Sequence, residues 1–391
     1  VNAELRLLLF TGKGGVGKTT LAAATGTTLA EHGRRTLVVS TDPAHSLADS
    51  FGTELGREPT GVGPRLSAVQ LDPRGLVDTA WQELRGQLRG ALTGAGVDAL
   101  DAEELTVLPG VDELLALSEV QRLAETGYWH VIVVDCGPTA ETLRLLALPE
   151  AISGYLRRLY GWSRAPRTAR GPGDAVSSIR RLGEHLESLR DLLTDRDTTT
   201  VRLVLTPERM VVAETRRTLT ALALRGIRVD GLVANRLMPA PGFWRGGAAN
   251  WLRKRRDEQD AVLAEMRDAG LTALRSVEHC AAEPVGTAAL TEIARELYDG
   301  GDPLVGYSPG EAELLQISDG DDGGYRLRVA LPLSTDPAIE LARVDDDLAI
   351  TVDGNRRLIA LPELLRSCEV TGAEFDSEGL VVSLAQPGSV H

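Results

Sequence analysis

Lysine is nearly absent from this sequence of 391 residues: Lys13, Lys18 and Lys254 are the whole supply, and arginine carries the remaining positive charge. Two of the three ammonium groups fall close together at Lys13 and Lys18, a concentration that background usage does not explain. Cysteine is equally sparse. Cys136, Cys280 and Cys368 stand far apart with no C-x-x-C spacing, so neither a disulfide framework nor a local zinc site is indicated, and a reducing cytoplasm is the expected compartment. Long apolar runs are missing as well. Leu7 to Phe10 is stopped at once by glycines, and no stretch approaches the ~18 residues of a membrane span, which leaves membrane contact only through a client or partner. Positive charge is in deficit. A net charge of −14 repels a phosphate backbone, which argues against nucleic acid as a partner, and the short run Arg253 to Arg256 reads as a solvated helix face.

What is present is the composition of a folded protein, with 43% hydrophobic and 25% charged residues. The length calls for a large α/β domain and something smaller. Leu5 to Phe10, Thr36 to Ser40, His130 to Val134, Val201 to Leu205 and Leu232 to Ala234 are short apolar runs, most of them ending in turn residues. With helices between them, such strands imply a mainly parallel sheet covered on both faces. Two stretches, about 74–125 and 151–194, look helical and carry no strand signal. In the second, Ile179, Leu182, Leu186, Leu189, Leu192 and Leu193 form a stripe of helical period, and Arg164 to Asp174 reads as a loop.

After Tyr298 the texture changes. Residues 1–300 are expected to form one domain, 301–324 a Gly/Asp/Pro-rich linker, and 325–391 a small all-β, sandwich-like domain. Within that last part Asp353-Gly354-Asn355 is a strong hairpin signal, and Asp376-Ser377-Glu378-Gly379 joins a second pair of strands.

The chemistry concentrates in Gly12-Lys13-Gly14-Gly15-Val16-Gly17-Lys18-Thr19, which satisfies G-x-x-x-x-G-K-[ST] between a buried strand and a helix. Glycines let the backbone curl so that its N–H groups converge on phosphate oxygens, and the helix N-terminus adds its dipole. Lys18 neutralises charge and Thr19 offers a hydroxyl to Mg²⁺, with Gly14, Gly15, Val16, Gly17 and Thr20 completing the cradle. A compact ammonium suits that cradle better than a guanidinium fork. The extra lysine at Lys13 resembles the deviant P-loop ATPases, in which it reaches across a dimer interface to the partner's nucleotide. A plain solvent-exposed loop lysine is the alternative.

Ser40-Thr41-Asp42-Pro43-Ala44-His45-Ser46-Leu47-Ala48-Asp49 narrows the resemblance to the ArsA/Get family, which includes arsenite-pump ATPases and targeting ATPases for tail-anchored membrane proteins. The resemblance implies that this is switch I, with Asp42 orienting the attacking water; an Asp before proline is also an ordinary turn residue. Asp135, at the end of a strand, is expected to meet the hydration shell of Mg²⁺ through water. Cys136-Gly137-Pro138-Thr139-Ala140-Glu141-Thr142-Leu143-Arg144 is similar to switch II, usually D-T-A-P-T-G-H-T-L-R from the aspartate on, and the departures that matter are Cys136 for threonine and Ala140-Glu141 for glycine-histidine. Thr206-Pro207-Glu208 is read as opening a helix. By the resemblance Glu208 belongs to the dimer-dependent site, Asn235 contacts adenine, and the loop His279 to Gly286, with Ala281 and Glu283, closes over the base. Glu208 as a first-turn helix residue and Asn235 as a turn former are the plainer readings.

The resemblance covers most of the chain, because the C-terminal part is similar to the small-heat-shock-like module of some bacterial ArsA-type ATPases; its Val370-Thr371-Gly372-Ala373 is read as a turn. It implies a homodimer that hydrolyses ATP with Mg²⁺. Three roles stay open: a switch that captures a client protein, with an apolar membrane-protein segment as one candidate; an energy-coupling subunit of an arsenite or anion pump; and a regulatory or assembly ATPase with slow turnover. Dispersed cysteines offer no visible thiolate cluster for a metalloid, and only three methionines are available for a flexible apolar groove.

Overall fold

The computed structural model describes residues 5–42, 46–71, 86, 111–138, 173–240, 242–243, 245–268, 273–305, 315–319, 324–330, 338–344, 347–352, 355–361, 363–376 and 379–385. The apolar runs become strands. β1 (Arg6–Gly12), β2 (Thr36–Ser40), β3 (Thr60–Gly63), β4 (Leu66–Gln70), β5 (Val131–Pro138), β6 (Thr199–Leu205), β7 (Val229–Leu237) and β8 (Leu274–Glu278) form one sheet in the order β3-β4-β2-β5-β1-β6-β7-β8. The pairs β1–β5, β1–β6, β2–β5 and β2–β4 are parallel, and the short edge pair β3–β4 is antiparallel. Every residue of β2 and β6 is buried, as continuous apolar strands in a covered parallel sheet must be.

The strand register lines up one row of residues across the sheet. Phe10 on β1, Asp135 on β5, Ser40 on β2 and Gln70 on β4 are successive Cα partners, so the four lie level with one another near the C-terminal ends of adjacent strands. That is the edge at which open α/β sheets bind ligands.

The helices are α1 (Lys18–Glu31), α2 (Ser46–Phe51), α3 (Val111–Glu125), α4 (Gly173–Thr194), α5 (Val211–Leu224), α6 (Gly247–Asp268) and α7 (Thr287–Tyr298). Of the two stretches read as helical insertions, α3 and α4 are the described parts. Leu186, Leu189, Leu192 and Leu193 of the apolar stripe are buried, and Ser118 and Gln121 of α3 bond His185 and Ser188 of α4. In this half, the stripe is core. The loop read at Arg164 to Asp174 lies outside the described residues apart from Gly173 and Asp174, which belong to α4.

The chain divides into two compact units, Val1–Val204 with Arg275–Gly306, and Leu205–Leu274 with Tyr307–His391. This division cuts through the stretch read as one domain of residues 1–300. Within the second unit the reason is visible: Leu224, the last residue of α5, is 1% exposed and joins the apolar cluster of the C-terminal strands, and Arg357 donates to the carbonyl of Ala223.

Those strands are β9 (Leu315–Asp319), β10 (Tyr325–Ala330), β11 (Ile339–Val344), β12 (Asp347–Val352), β13 (Asn355–Ala360), β14 (Glu369–Asp376) and β15 (Gly379–Ala385). They make a four-stranded sheet, β14-β15-β10-β9, and a three-stranded one, β11-β12-β13. Leu327, Val329, Val382 and Leu384 from the first share one core with Leu348, Ile350, Val352 and Ile359 from the second, the alternation expected of two stacked sheets. Both hairpins fall where the turn residues put them, with Val352 opposite Asn355 and Asp376 opposite Gly379. Two expectations are corrected. Leu315–Asp319, placed in the linker, is a strand antiparallel to β10, and Val370 to Ala373, read as a turn, lies inside β14 as a bulge against β15.

Candidate functional site

The loop after β1 has the backbone its glycines allow. A Cβ on Gly12 would lie 2.1 Å from the carbonyl oxygen of Val204, so no side chain fits there. Gly17, at the N-cap of α1, sits at φ 92°, a left-handed conformation that glycine adopts without strain. α1 starts with no side-chain cap and no acidic residue in its first turn. Its leading N–H groups are therefore not taken up by a side chain at the cap, which is what an anion site at a helix N-terminus requires. The Lys18 ammonium folds back on the loop and donates to the carbonyl of Lys13 at 3.1 Å, with 6% of the residue exposed. Lys13 itself is exposed, as are Gly14 and Gly15; Val16 is buried and Thr20 half-buried.

Next to the loop lies a chain of hydroxyls on one carboxylate. Asp135 Oδ2 accepts from Thr19 Oγ1 at 2.8 Å and from Ser40 Oγ at 3.1 Å, and Thr19 Oγ1 also lies 3.0 Å from Ser46 Oγ. The Asp135 backbone carbonyl accepts from Thr41 N–H at 2.9 Å. Asp42 comes next in the chain: its N–H donates to Ser40 Oγ at 3.3 Å, and its carbonyl accepts from the Gln70 side-chain amide at 2.7 Å. Four of the residues read from the sequence, Lys18, Thr19, Asp42 and Asp135, are thus gathered around the head of α1. Pro43, Ala44, His45 and the switch II residues from Thr139 onward lie outside the described residues.

Asp135 is fully buried, and its second oxygen, Oδ1, has no hydrogen-bond partner among the described residues. Burial pushes its pKa up to about 6; the bonds from Thr19 and Ser40 and the charge of Lys18 pull the other way, and Asp42 adds to the rise. A buried carboxylate with one orphaned oxygen beside a threonine hydroxyl is an all-oxygen donor set that suits a hard divalent cation and its waters. Cys136 next to it is buried, and burial raises its thiol, so it stays protonated and acts as a small residue.

The other expected residues come from separate elements. Ala281 and Glu283 are exposed in the loop between β8 and α7, where Gly286 N–H donates to the carbonyl of Ser50 at 2.9 Å. Glu208 and Asn235 belong to the second unit. Glu208 is not a first-turn helix residue: α5 begins at Val211, and Glu208 sits in the preceding turn, its carboxylate 3.7 Å from Arg255 of α6. Asn235 is half-buried in β7, and its Oδ1 accepts from Arg236 N–H at 2.9 Å. The run Arg253 to Arg256 lies on α6, with Arg253 bonded to Asn250 and Arg256 to Asp260; Lys254 is exposed and the three arginines are half-buried.

Sequence reasoning assigns no role to Ser40, Ser46 or Gln70. A signal exists. Ser40-Thr41-Asp42-Pro43 and Gln70-Leu71-Asp72-Pro73 are both apolar strands that end in a polar residue, with Asp-Pro two positions on, the pattern of a strand end facing a ligand.

Comparison with known proteins decides the family. The model described as anion-transporting ATPase matches residues 5–299. The chain belongs to that family. A second model, described as HSP20-like domain found in ArsA, matches residues 322–384. A protein of Mycobacterium tuberculosis is 38% identical over 410 residues, which cover 97% of this chain and 96% of the relative. A putative arsenical pump-driving ATPase of Prosthecochloris vibrioformis is 34% identical over 407 residues, 99% of this chain and 98% of its own. An Aspergillus niger protein named ATPase get3 is 33% identical over 250 residues, 60% of this chain and 73% of its own. As a member of the anion-transporting ATPase family, the chain is an ATP-hydrolysing enzyme. Among the described residues, no helix is long and apolar enough to cross a membrane.

Proposed function

We propose that this ATPase is a homodimeric switch in which Mg-ATP binding and hydrolysis drive capture and release of a client protein. The observation that carries this reading is the link from Thr19 through Asp135 and Ser40 to Asp42, because it ties the phosphate loop to switch I through a carboxylate that is incompletely satisfied. Thr19 and, through water, Asp135 would hold Mg²⁺, which when bound neutralises charge on the phosphates. Lys18 and the backbone N–H groups of the loop bind the phosphates. Asp42 orients the attacking water, and its backbone is held at both ends. Lys13, exposed on the loop, reaches the nucleotide of a second copy. Glu208, Asn235, Ala281 and Glu283 are read as the rest of the nucleotide site. The enzyme works in the cytoplasm and meets a membrane only through a client or partner.

Lys18→Ala is expected to abolish binding of ATP with magnesium, measured by fluorescence of a labelled analogue; undiminished binding would sink the proposal. Asp42→Asn is expected to bind ATP normally and to hydrolyse it at least about a hundredfold more slowly, so that pull-down from a lysate enriches a client over wild type. An unchanged rate removes Asp42 from the chemistry, and no enrichment removes the client.

The names of relatives such as the arsenical pump-driving ATPase favour the second reading, an energy-coupling pump subunit. Against it, no group of three metal-ligating side chains occurs among the described residues, and Cys136 and Cys368 are buried while Cys280 is exposed. Hydrolysis stimulated by arsenite or antimonite would reverse that preference.

A further inference from the structure

Gln70 stands on the same level as Ser40, Asp135 and Phe10 across four adjacent strands, and its side chain, like that of Ser40, reaches the backbone of switch I. It is 5% exposed. Its amide N–H₂ donates to the carbonyl of Asp42 at 2.7 Å, while the N–H of the same residue donates to Ser40 Oγ at 3.3 Å. The peptide groups on either side of the Asp42 side chain are therefore both fixed by side chains rooted in the sheet. The other end of the Gln70 amide, Oε1, is buried without a hydrogen-bond partner among the described residues. A buried amide with only one end satisfied is costly to keep in place, and Leu or Met would fill the same space without that cost. Space-filling is thus a poor account of a glutamine here.

We propose that Gln70 is a positioning residue for hydrolysis, which holds the Asp42 carboxylate in its working orientation by fixing the Asp42 carbonyl. It rests on the reading of Asp42 given above, and it adds a residue on β4, a strand that neighbours neither β1 nor β5 in the sheet. Ser40 contributes the other clamp, but its hydroxyl is shared with Asp135, so a change there disturbs two groups at once. Gln70 isolates the effect on switch I.

The test compares full-length wild type with Gln70→Leu, Gln70→Glu, Asp42→Asn and the Gln70→Leu/Asp42→Asn pair. Steady-state hydrolysis, equilibrium binding of a fluorescent ATP analogue with magnesium, and single-turnover hydrolysis at excess enzyme are measured on each. Both Gln70 variants are expected to lose about tenfold to a hundredfold in kcat, the loss that small misplacement of a reacting group produces, with KM and analogue binding changed less than about twofold. Glutamate has the shape of glutamine but, ionised, cannot donate, so it distinguishes donation from filling and guards against a leucine variant that fails to fold. In the Asp42→Asn background, Gln70→Leu is expected to cost less than about a further twofold, because the group it positions is gone. Wild-type kcat in Gln70→Glu, a parallel loss of binding and kcat, or the full loss repeated on top of Asp42→Asn each overturns the proposal. Undiminished hydrolysis by Asp42→Asn alone would instead overturn the reading on which it rests.

Discussion

The head of α1 and the C-terminal sheets treat buried side chains in opposite ways. Around the phosphate loop, Lys18, Ser40, Gln70 and Asp135 are all buried polar or charged groups, and Asp135 Oδ1 and Gln70 Oε1 lack partners among the described residues. Between Leu315 and Ala385 no polar or charged side chain that is described falls among the buried ones; the core is aliphatic with Cys368. The first region gives up stability in a form that a bound cation and nucleotide would restore. The second is already complete in itself, so whatever it contributes must be made through its surface or through its seat on α5.

The largest effect that would break this contrast lies at Asp135. Asp135→Asn removes a charge from the expected magnesium shell and is expected to slow hydrolysis at least about a hundredfold. In the nucleotide-free protein it should do the reverse of harm. Burial raises the Asp135 pKa to about 6, above the ~3.9 of an unfolded aspartate, so the folded state favours the protonated form. That contribution is present below pH ~4 and is lost as pH rises to about 6, by about 3 kcal/mol at ~1.4 kcal/mol per pKa unit. Asparagine cannot ionise. Urea unfolding without nucleotide should therefore find Asp135→Asn more stable than wild type at pH 7, with the difference closing towards pH 4. A variant less stable at pH 7 and equal at pH 4 would mean that the carboxylate is satisfied without a ligand.

The opposite experiment addresses the aliphatic core. Ile350 is fully buried between the two C-terminal sheets, and Ile350→Ala is expected to lower stability by about 2–5 kcal/mol through lost contacts and a cavity. Per folded molecule, ATP binding and kcat should stay at wild-type values. If hydrolysis falls in proportion to the loss of stability, the two regions do not divide the work as their cores suggest.

Much of the fold and the site is legible in the residues alone. β1, α1, β2 and the P-loop are local signals: a buried apolar run, glycines at fixed offsets and an alanine-rich helix read the same in sequence and in space. The hairpins at Asp353-Gly354-Asn355 and Asp376 to Gly379 are local in the same way. What escapes a sequence reading depends on neighbours distant in the chain. β9 is hidden because its five residues sit in an acidic, glycine-rich surrounding and gain their identity only from pairing with β10. The turn before α5 reads as helix because Pro207 and Glu208 suit a first turn, whereas Val211 N–H bonds back to the Glu208 carbonyl and the helix begins there. Gln70 and Ser40 escape for the same reason: only the strand order brings β4 and β5 to either side of β2.

The smallest effect concerns residues 301–305, which read as linker in sequence and which the structure ties to the first unit. Asp302 takes both guanidinium nitrogens of Arg34, at 3.0 and 2.5 Å, and Pro303 offers its carbonyl to the buried Arg202, which also bonds the Tyr298 hydroxyl. Burial alone would raise the Asp302 pKa, but the bonds from Arg34 and from Leu304 N–H and the nearby positive charge bring it below the ordinary aspartate value. A depressed carboxylate stabilises the fold above its unfolded pKa of about 4, and that contribution fades as pH falls through its lower folded value. Because the pair is partly exposed, Arg34→Ala is expected to cost no more than about 1 kcal/mol at pH 7 in low salt and less in ~1 M salt. Hydrogen exchange should show the amides of 299–305 opening in Arg34→Ala while those of β1 and α1 keep their protection. If the whole first unit loosens together, this segment is part of its core and not a strap laid over it.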